Sequence, residues 1–270
     1  MTPILRRNNV TVVGEGTTTI MLAHGFGTDQ QVWHLIVPHL KENYRLVLFD
    51  YVGSGHSDKQ AYNEARYGEL DGYAQDIIDI ADELDLADFI LIGHSISSMI
   101  GLLVTIKRPE LIRDLIMVGP SPIYIANEDI PNLFKENEIE ALIEMMERNF
   151  SEWTKTLAPI ASSNPDRPEL SEDFEKRLLH NDAKIIKKFA EVTFYIDLRQ
   201  ELSIPTTPTL IFQTKEDNIS PIESGEFVHG NMQNSTLIIM EAKGHNPHLS
   251  APEELLTGIN NYLQERNEGK

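Results

Sequence analysis

Ser95 stands where an apolar run gives way to a helical pattern, a setting suited to nucleophilic chemistry. Phe89–Ile92 has the composition of a buried strand, and apolar residues at helical spacing follow from Ile100. A strand that turns sharply into a helix is typical of a nucleophile elbow, which lifts a serine hydroxyl clear of the sheet edge. Such a turn needs small neighbours, and Gly93 and Ser97 provide them, although glycine is usual at the last position. The alternative is that Ser95 only begins a helix.

Nucleophilic chemistry at a serine also requires a base and an acid that holds the base. In an elbow fold the chain order is serine, acid, histidine, with the acid after a late strand and the histidine near the end. Asp217 follows the strand-like run Thr209–Gln213, and His245 follows the last apolar run, Leu237–Met240. We therefore predict that Ser95, Asp217 and His245 are the catalytic residues.

Two neighbouring residues compete for these roles. Glu216 is the rival acid, but its longer side chain starts one residue earlier and is expected to point elsewhere. His248 is the rival base, whereas the glycine before His245 suits a tight loop that projects this imidazole toward the serine. The His-x-x-His pair could also bind a metal, but zinc sites normally use about three or four ligands and no HExxH pattern occurs. We therefore predict neither a metal nor a cofactor.

Acyl transfer also needs hydrogen-bond donors for the oxyanion that develops on the substrate. The first candidate is the backbone N–H of Ile96, the residue after the nucleophile. The second is the amide of Phe26, in the glycine-rich bend His24–Gly27 that follows the strand-like run Thr18–Ala23. An ordinary turn is the alternative for this bend.

A further glycine-rich bend, Asp50–Ser57, resembles a dinucleotide-binding loop only superficially. It lacks the third glycine and no helix begins there, so we assign it a structural role. His24, His56 and His94 lie beside loop glycines, and we expect them to be hydrogen-bonded structural residues.

These residues must be positioned by an alternation of short β-rich runs and helical segments. Tyr73–Leu86 and the segment after Leu255 carry apolar residues at helical spacing. From the third β-rich run onward polar alternation is missing, which suits strands buried on both faces of a parallel sheet. The pattern predicts an α/β sheet with helices on both faces. The expected strands are Val10–Val13, Thr18–Ala23, Arg45–Phe49, Phe89–Ile92, Leu115–Val118, Thr209–Gln213 and Thr236–Met240.

The alternation stops in residues 127–196, which carry only amphipathic helical patterns. Glu138–Phe150 has one apolar face, Ser171 is a candidate cap of a following helix, and Asp182 is a candidate cap of the next. We interpret this segment as a helical cap inserted between two halves of the sheet. The α/β core then comprises residues 1–126 and 197–270.

Length, charge and composition narrow the class of protein. The 270 residues suit one α/β domain of roughly 250 residues that carries an insertion. A net charge of −19 disfavours binding to nucleic acid or to an anionic membrane surface. The chain has no cysteine, which excludes disulfides and thiolate chemistry. It shows no signal-peptide stretch and no apolar run of membrane length, so we expect a cytoplasmic protein.

The chain resembles α/β-hydrolases over its whole length. It is most similar to the clade of RsbQ-type bacterial stress-response regulators and plant strigolactone and karrikin receptors, in which serine occupies the position of Ser97. The resemblance implies a mostly parallel eight-stranded sheet, the triad and oxyanion donors named above, and a V-shaped cap of four helices over a small apolar pocket. The matching segments are HGFGTDQQVW (24–33), GHSISSMIG (93–101), RPELI (108–112), GPSPIY (119–124) and GHNPHLSAPEE (244–254).

The resemblance also implies that aromatic side chains line this pocket. Trp153 and Phe194 are the candidates that resemble lining residues of the clade by position. Phe26, Tyr124 and Phe134 are further candidates. Packing between cap and core is the alternative for each aromatic residue of the cap, because bulky aromatic side chains fill cores as readily as they line pockets.

Two functions fit these observations. The first is a serine hydrolase of the carboxylic ester hydrolase type, acting on a small, largely apolar ester, lactone or enol ether through a covalent acyl-enzyme. The second is a signalling protein of the RsbQ type that processes a ligand and then activates a partner such as a phosphatase. Either function requires a small-molecule ligand, and neither involves nucleic acid or a membrane.

Overall fold

Seven strands form a single sheet within residues 2–268, the part of the chain that the computed structural model describes. The order across the sheet is β1-β3-β2-β4-β5-β6-β7. Strand β1 runs antiparallel to β3, and every other neighbouring pair is parallel. The strands are β1 (Thr11–Val13), β2 (Thr19–Ala23), β3 (Arg45–Leu48), β4 (Phe89–His94), β5 (Ile112–Val118), β6 (Thr209–Glu216) and β7 (Ser235–Lys243).

The sheet topology confirms the predicted fold class, but the expected number of eight strands is wrong for the described residues. All seven observed strands coincide with the seven β-rich runs of the sequence. Residues before β1 form a short helix, Pro3–Arg7, instead of a further strand. Pro3 has no N–H to donate to a strand ladder and suits the first turn of a helix, and the Thr2 hydroxyl accepts from the N–H of Leu5 at 3.4 Å.

The central strands are buried on both faces, as their continuous apolar composition predicts. In β4, Phe89 and Leu91 belong to one hydrophobic cluster, and Ile90 and Ile92 belong to the other. Helices between the strands cover each face of the sheet.

Twelve α-helices lie within residues 2–268, and none of them is long and apolar enough to cross a membrane. Helices α4 and α5 cover one face of the sheet, and α12 covers the opposite face. The helices are α1 (Pro3–Arg7), α2 (Val37–Leu40), α3 (Glu64–Tyr67), α4 (Leu70–Glu83), α5 (Ile96–Lys107), α6 (Glu136–Arg148), α7 (Phe150–Ser162), α8 (Pro168–Leu179), α9 (Ala183–Phe194), α10 (Ile222–Asn231), α11 (Pro247–Ser250) and α12 (Pro252–Glu268).

Helices α6 to α9, here called the inserted helices, lie between β5 and β6 in the chain. Helix α6 packs against α7 and α9, and α7 packs against α8. Asp182 caps α9 as predicted, because its carboxylate accepts from the N–H groups of Lys184 and Ile185 at 2.9 and 3.1 Å. The cap predicted at Ser171 is wrong. Helix α8 already begins at Pro168, whose fixed φ suits the first helical position.

Candidate active site

Ser95 occupies the turn between β4 and α5 in a strained backbone conformation. Its φ of 56° and ψ of −123° lie where non-glycine residues are rarely found, as expected at a nucleophile elbow. A Cβ on Gly93 would collide with the carbonyl oxygen of Ser97, so the tight turn requires glycine there. The Ser95 hydroxyl makes no capping hydrogen bond to α5. It is therefore available for contacts outside the helix.

The Ser95 hydroxyl contacts His245, which in turn contacts Asp217. The distance from Ser95 Oγ to His245 Nε2 is 2.7 Å, and that from His245 Nδ1 to Asp217 Oδ2 is also 2.7 Å. Because a carboxylate only accepts, Nδ1 carries the proton and Nε2 accepts from the serine. The other Asp217 oxygen accepts from the N–H groups of Ile219 and Ser220 at 2.8 and 3.0 Å. The three residues that the sequence singled out thus form one hydrogen-bonded chain.

Neither rival residue joins this chain. Glu216 is exposed and pairs with Lys243 at 2.8 Å. His248 is fully buried, with its ring 4.7 Å from that of Trp33, and burial lowers its pKa to about 3. Within residues 2–268 no three His, Asp or Glu side chains are grouped so that they could hold a metal ion.

His94 ties the serine turn to the histidine loop and to the bend that carries Phe26. Its Nε2–H donates to the carbonyl oxygen of His245 at 2.7 Å. Burial holds the His94 pKa well below its usual range, so the ring stays neutral. Its Nδ1 lies so close to Gly25 that a Cβ there would collide with it. The His94 ring therefore requires glycine at this point of the bend.

The two predicted oxyanion donors are the backbone N–H groups of Ile96, at the start of α5, and of Phe26, in the bend after β2. Ile96 is the first residue of α5, and its N–H donates to no acceptor in residues 2–268. The N–H of Phe26 is likewise free of any acceptor in that range. The bend is held against the serine turn because the Ser97 hydroxyl donates to the carbonyl of His24 at 2.5 Å. The Tyr51 hydroxyl in turn donates to Ser97 at 3.0 Å.

The bend Asp50–Ser57 acts through Asp50, whose buried carboxylate holds neighbouring loops together. It accepts from the backbone N–H of Gln30 at 2.8 Å, from that of His56 at 2.9 Å, and from the amide side chain of Asn9 at 2.8 Å. These contacts agree with the structural role predicted for this bend.

A small cavity of about 30 Å³ lies over Ser95 and His245, beneath the inserted helices. Phe26, Tyr124 and Phe194, three of the five candidate pocket residues, line it. The Tyr124 hydroxyl lies 3.4 Å from Ser95 Oγ, and burial raises its pKa, so it is neutral. The sequence analysis did not anticipate seven other lining residues, namely His94, Leu157, Ala161, Phe174, Thr193, Ile219 and Asn246.

Trp153 and Phe134 lie behind the side chains that line this cavity. The Trp153 ring packs edge-on against Phe26 at 6.2 Å and stacks on Phe150 at 5.4 Å. The Phe134 ring packs edge-on against Phe194 at 6.4 Å. Both fill space behind the lining rings, which is the packing role left open as their alternative. Two of the missed lining residues are neighbours of predicted site residues in the sequence, since Thr193 precedes Phe194 and Asn246 follows His245. Their positions in the chain could have identified them.

Known proteins resemble this chain over nearly its whole length. The model of the alpha/beta hydrolase fold family matches residues 18–252. A strigolactone esterase of Arabidopsis thaliana is 38% identical over 253 residues, covering 93% of this chain and 94% of that protein. A karrikin insensitive 2 receptor of Petunia hybrida is 34% identical, covering 92% of this chain and 93% of the receptor. The structure of a hydrolase from Oleispira antarctica, also 34% identical, superposes with a TM-score of 0.95, covering 97% and 96% of the two chains.

Proposed function

The chain belongs to the alpha/beta hydrolase family as an enzyme of the carboxylic ester hydrolase type, and on that premise we propose that it cleaves a small, largely apolar substrate through Ser95. Candidate substrates are esters, lactones and enol ethers. One observation carries the proposal: the chain of two 2.7 Å hydrogen bonds from Ser95 through His245 to Asp217, next to a buried apolar cavity. This arrangement places an activated nucleophile beside a small apolar cavity.

In the proposed acylation step, Ser95 Oγ attacks the substrate carbonyl and its proton passes to His245 Nε2. Asp217 remains ionised, holds the imidazole in the required tautomer and stabilises the imidazolium that forms. The N–H groups of Phe26 and Ile96 donate to the developing oxyanion, and removing one such donor typically costs about 3 kcal/mol of transition-state stabilisation.

The first tetrahedral intermediate then collapses: His245 gives the proton on Nε2 to the departing alkoxide, and the acyl group stays on Ser95 Oγ. In the proposed deacylation step, His245 Nε2 accepts a proton from the water that attacks the acyl group, and gives it to Ser95 Oγ as the second tetrahedral intermediate collapses to free acid and serine. No cofactor takes part in either step. Every group that reacts with the substrate or with water in these steps therefore belongs to this protein.

The cavity supports a substrate of limited size and low polarity. Its volume of about 30 Å³ is well below that of ordinary ligand pockets, and its lining is mostly apolar. Phe26, Tyr124 and Phe194 form its aromatic lining, with Trp153 and Phe134 packed behind them. Lactones are included because one relative is named for strigolactone hydrolysis.

The proposal also keeps the predicted organisation and location of the chain. Residues 1–126 and 197–270 form the hydrolase core, and residues 127–196 form a cap over the site. A cytoplasmic location is part of the same proposal, as is the absence of nucleic-acid and membrane partners.

Hydrolysis of short p-nitrophenyl esters tests the proposed function. The wild-type chain should release p-nitrophenol slowly, and Ser95→Ala should abolish the release because no other group can form the acyl-enzyme. Ser203→Ala is the matched control, since this exposed serine lies outside the site. Equal turnover by Ser95→Ala and the wild type would show that Ser95 is not the nucleophile.

A second candidate function is ligand-dependent signalling of the RsbQ type, in which the processed ligand changes a surface that binds a phosphatase. It is favoured by relatives that are named receptors, and by the attachment of the histidine loop to the inserted helices. The His245 N–H donates to the carbonyl of Ala161 in α7 at 2.8 Å, and Asn164 donates to the carbonyl of Lys243 at 2.9 Å. A displacement of α7 would therefore shift the loop that carries His245, and a displacement of this loop would shift α7.

Light scattering of the chain with a candidate phosphatase, titrated with a hydrolysable ester, separates the two functions. Signalling predicts an association that appears with the ester in the wild type and not in Ser95→Ala. If association with the phosphatase never depends on the ester, the signalling function is excluded and only the hydrolase function remains.

A further inference from the structure

Thr193 lines the active-site cavity, and its buried hydroxyl has no hydrogen-bond partner among the described residues. Thr193 belongs to α9, is only 2% exposed, and lines the same cavity as Ser95 and His245. Its Oγ1 contacts no donor or acceptor among the residues that the structure describes. A buried hydroxyl that lacks a partner is unfavourable, so its position calls for a binding partner that enters the cavity.

Thr193 differs in this respect from other buried threonines in helices. A threonine within a helix commonly donates its hydroxyl to a backbone carbonyl of the preceding turn. Thr154 in α7 does so, donating to Ser151 at 2.8 Å, and Thr105 in α5 donates to Leu102 at 2.7 Å. Thr193 makes no such bond, which leaves its hydroxyl available to a ligand.

The cavity wall around this hydroxyl is apolar. Phe194 follows it in α9, and Leu157 and Phe174 from the neighbouring inserted helices line the same cavity. The Ser95 and His245 groups belong instead to the ends of the sheet. Thr193 therefore offers a hydrogen bond on the helix side, separate from the reacting carbonyl.

Asn246 is a weaker candidate for the same role. Its Oδ1 is also buried and unpaired in the described part of the chain, and its side chain also lines the cavity. However, Asn246 borders a second, smaller cavity together with Ser162, whose hydroxyl is likewise unpaired. Its amide therefore has another polar neighbourhood, whereas Thr193 lines only the active-site cavity.

We propose that Thr193 is a specificity-determining residue that binds a second oxygen of the substrate. The substrate is then an ester or lactone that carries an ether, carbonyl or hydroxyl oxygen away from the bond that is cleaved. This inference rests on the proposed hydrolysis at Ser95 and adds a requirement to its substrate class. A purely hydrocarbon acyl group leaves the Thr193 hydroxyl unpaired, so kcat/KM for such a substrate is lower.

An oxygen scan of the acyl chain tests the inference. The probes are p-nitrophenyl pentanoate and its two analogues with oxygen in place of the third or fourth carbon, the ethoxyacetate and the 3-methoxypropanoate. The measured quantity is the ratio of kcat/KM for each oxygen analogue to that for the pentanoate. Comparing this ratio between variants cancels the intrinsic reactivity of the esters.

Two pairs of variants differ only in the hydroxyl: wild type with Thr193→Val, and Thr193→Ser with Thr193→Ala. For at least one oxygen position, the ratio should fall roughly tenfold in each hydroxyl-free variant, which is the effect of one neutral hydrogen bond. Part of the fall comes from faster pentanoate hydrolysis, because no unpaired hydroxyl remains. Thr154→Val is the control and should keep the wild-type ratio, since Thr154 bonds to Ser151 outside the cavity.

The inference is wrong if the ratios for both oxygen positions are the same with and without the hydroxyl in either pair. It is also wrong if Thr154→Val lowers the ratio as much as Thr193→Val does. Failure of the underlying hydrolase proposal has a different signature, because Ser95→Ala would then hydrolyse all three esters as fast as the wild type.

Discussion

The strand ends and the inserted helices enclose the same cavity by different kinds of contact. On the sheet side, Ser95, His245 and Asp217 are fixed by hydrogen bonds of 2.7 Å, and Asp217 is held by two further backbone donors. On the helix side, Phe194 meets Phe26 and Tyr124 through edge-on ring contacts at 5.8 and 5.6 Å.

This difference separates reactivity from selectivity. Hydrogen bonds act over narrow ranges of distance and angle, so a lost partner at the strand ends affects the reaction of every substrate. Aromatic contacts depend on shape and tolerate exchange of similar volumes, so changes on the helix side alter which substrates fit. Substitutions at the strand ends should therefore lower the activity toward every substrate, whereas substitutions on the helix side should change which substrates are preferred.

Asp217→Asn should give the largest effect. An amide that replaces the carboxylate no longer fixes the His245 tautomer, and kcat for every ester should fall about 10⁴-fold. Steady-state kinetics on acetate, butyrate and hexanoate esters measures this change. Glu216→Gln is the adjacent control and should keep wild-type kcat, because Glu216 is exposed and pairs only with Lys243. A larger loss of kcat in Glu216→Gln than in Asp217→Asn would mean that Glu216, and not Asp217, is the acid that holds His245.

Phe194→Leu should change the ranking of substrates instead. The smaller side chain leaves space beside Phe26 and Tyr124, and each methylene that fits into such a space is worth about 1–3 kcal/mol of transition-state binding. The kcat/KM ratio of hexanoate to acetate esters should therefore rise about tenfold. Phe134→Leu, behind the lining ring, should raise it less. An equal fall for all chain lengths would contradict the division between the two regions.

His248→Gln should have the smallest effect on turnover, and its main effect is expected in the pH dependence of stability. Burial lowers the His248 pKa to about 3, whereas an unfolded histidine titrates near ~6.5. Between these values the unfolded chain binds the extra proton, so the wild type loses stability as the pH falls, by up to ~1.4 kcal/mol per pH unit. Above pH ~6.5 the imidazole is neutral in both states and this contribution no longer changes.

Urea unfolding of the wild type and His248→Gln from pH 4 to pH 8 measures this effect. The difference between their unfolding free energies should be constant above pH ~6.5 and should move in favour of the variant below it. Parallel curves over the whole range would mean that His248 titrates normally in the folded protein.

The sequence predicted the strand-end region better than the helix side for a physical reason. Ser95, Asp217 and His245 each follow a β-rich run, and parallel strands bring these ends to one edge of the sheet. The lining of the cavity depends on how the inserted helices cross, which helical periodicity does not specify. Thr193 was missed because its unpaired hydroxyl is a property of the packed helices. The eighth strand was inferred from the resemblance alone, and no β-rich run supported it.

Covalent labelling tests the central claim most directly, because it requires only an activated serine and no knowledge of the substrate. Diethyl p-nitrophenyl phosphate should add one diethylphosphoryl group per chain, as read by intact mass. Peptide mapping should then place it on Ser95, and Asp217→Asn should slow the reaction strongly. A modification on another residue, or equally fast labelling of Ser95→Ala, would contradict the account.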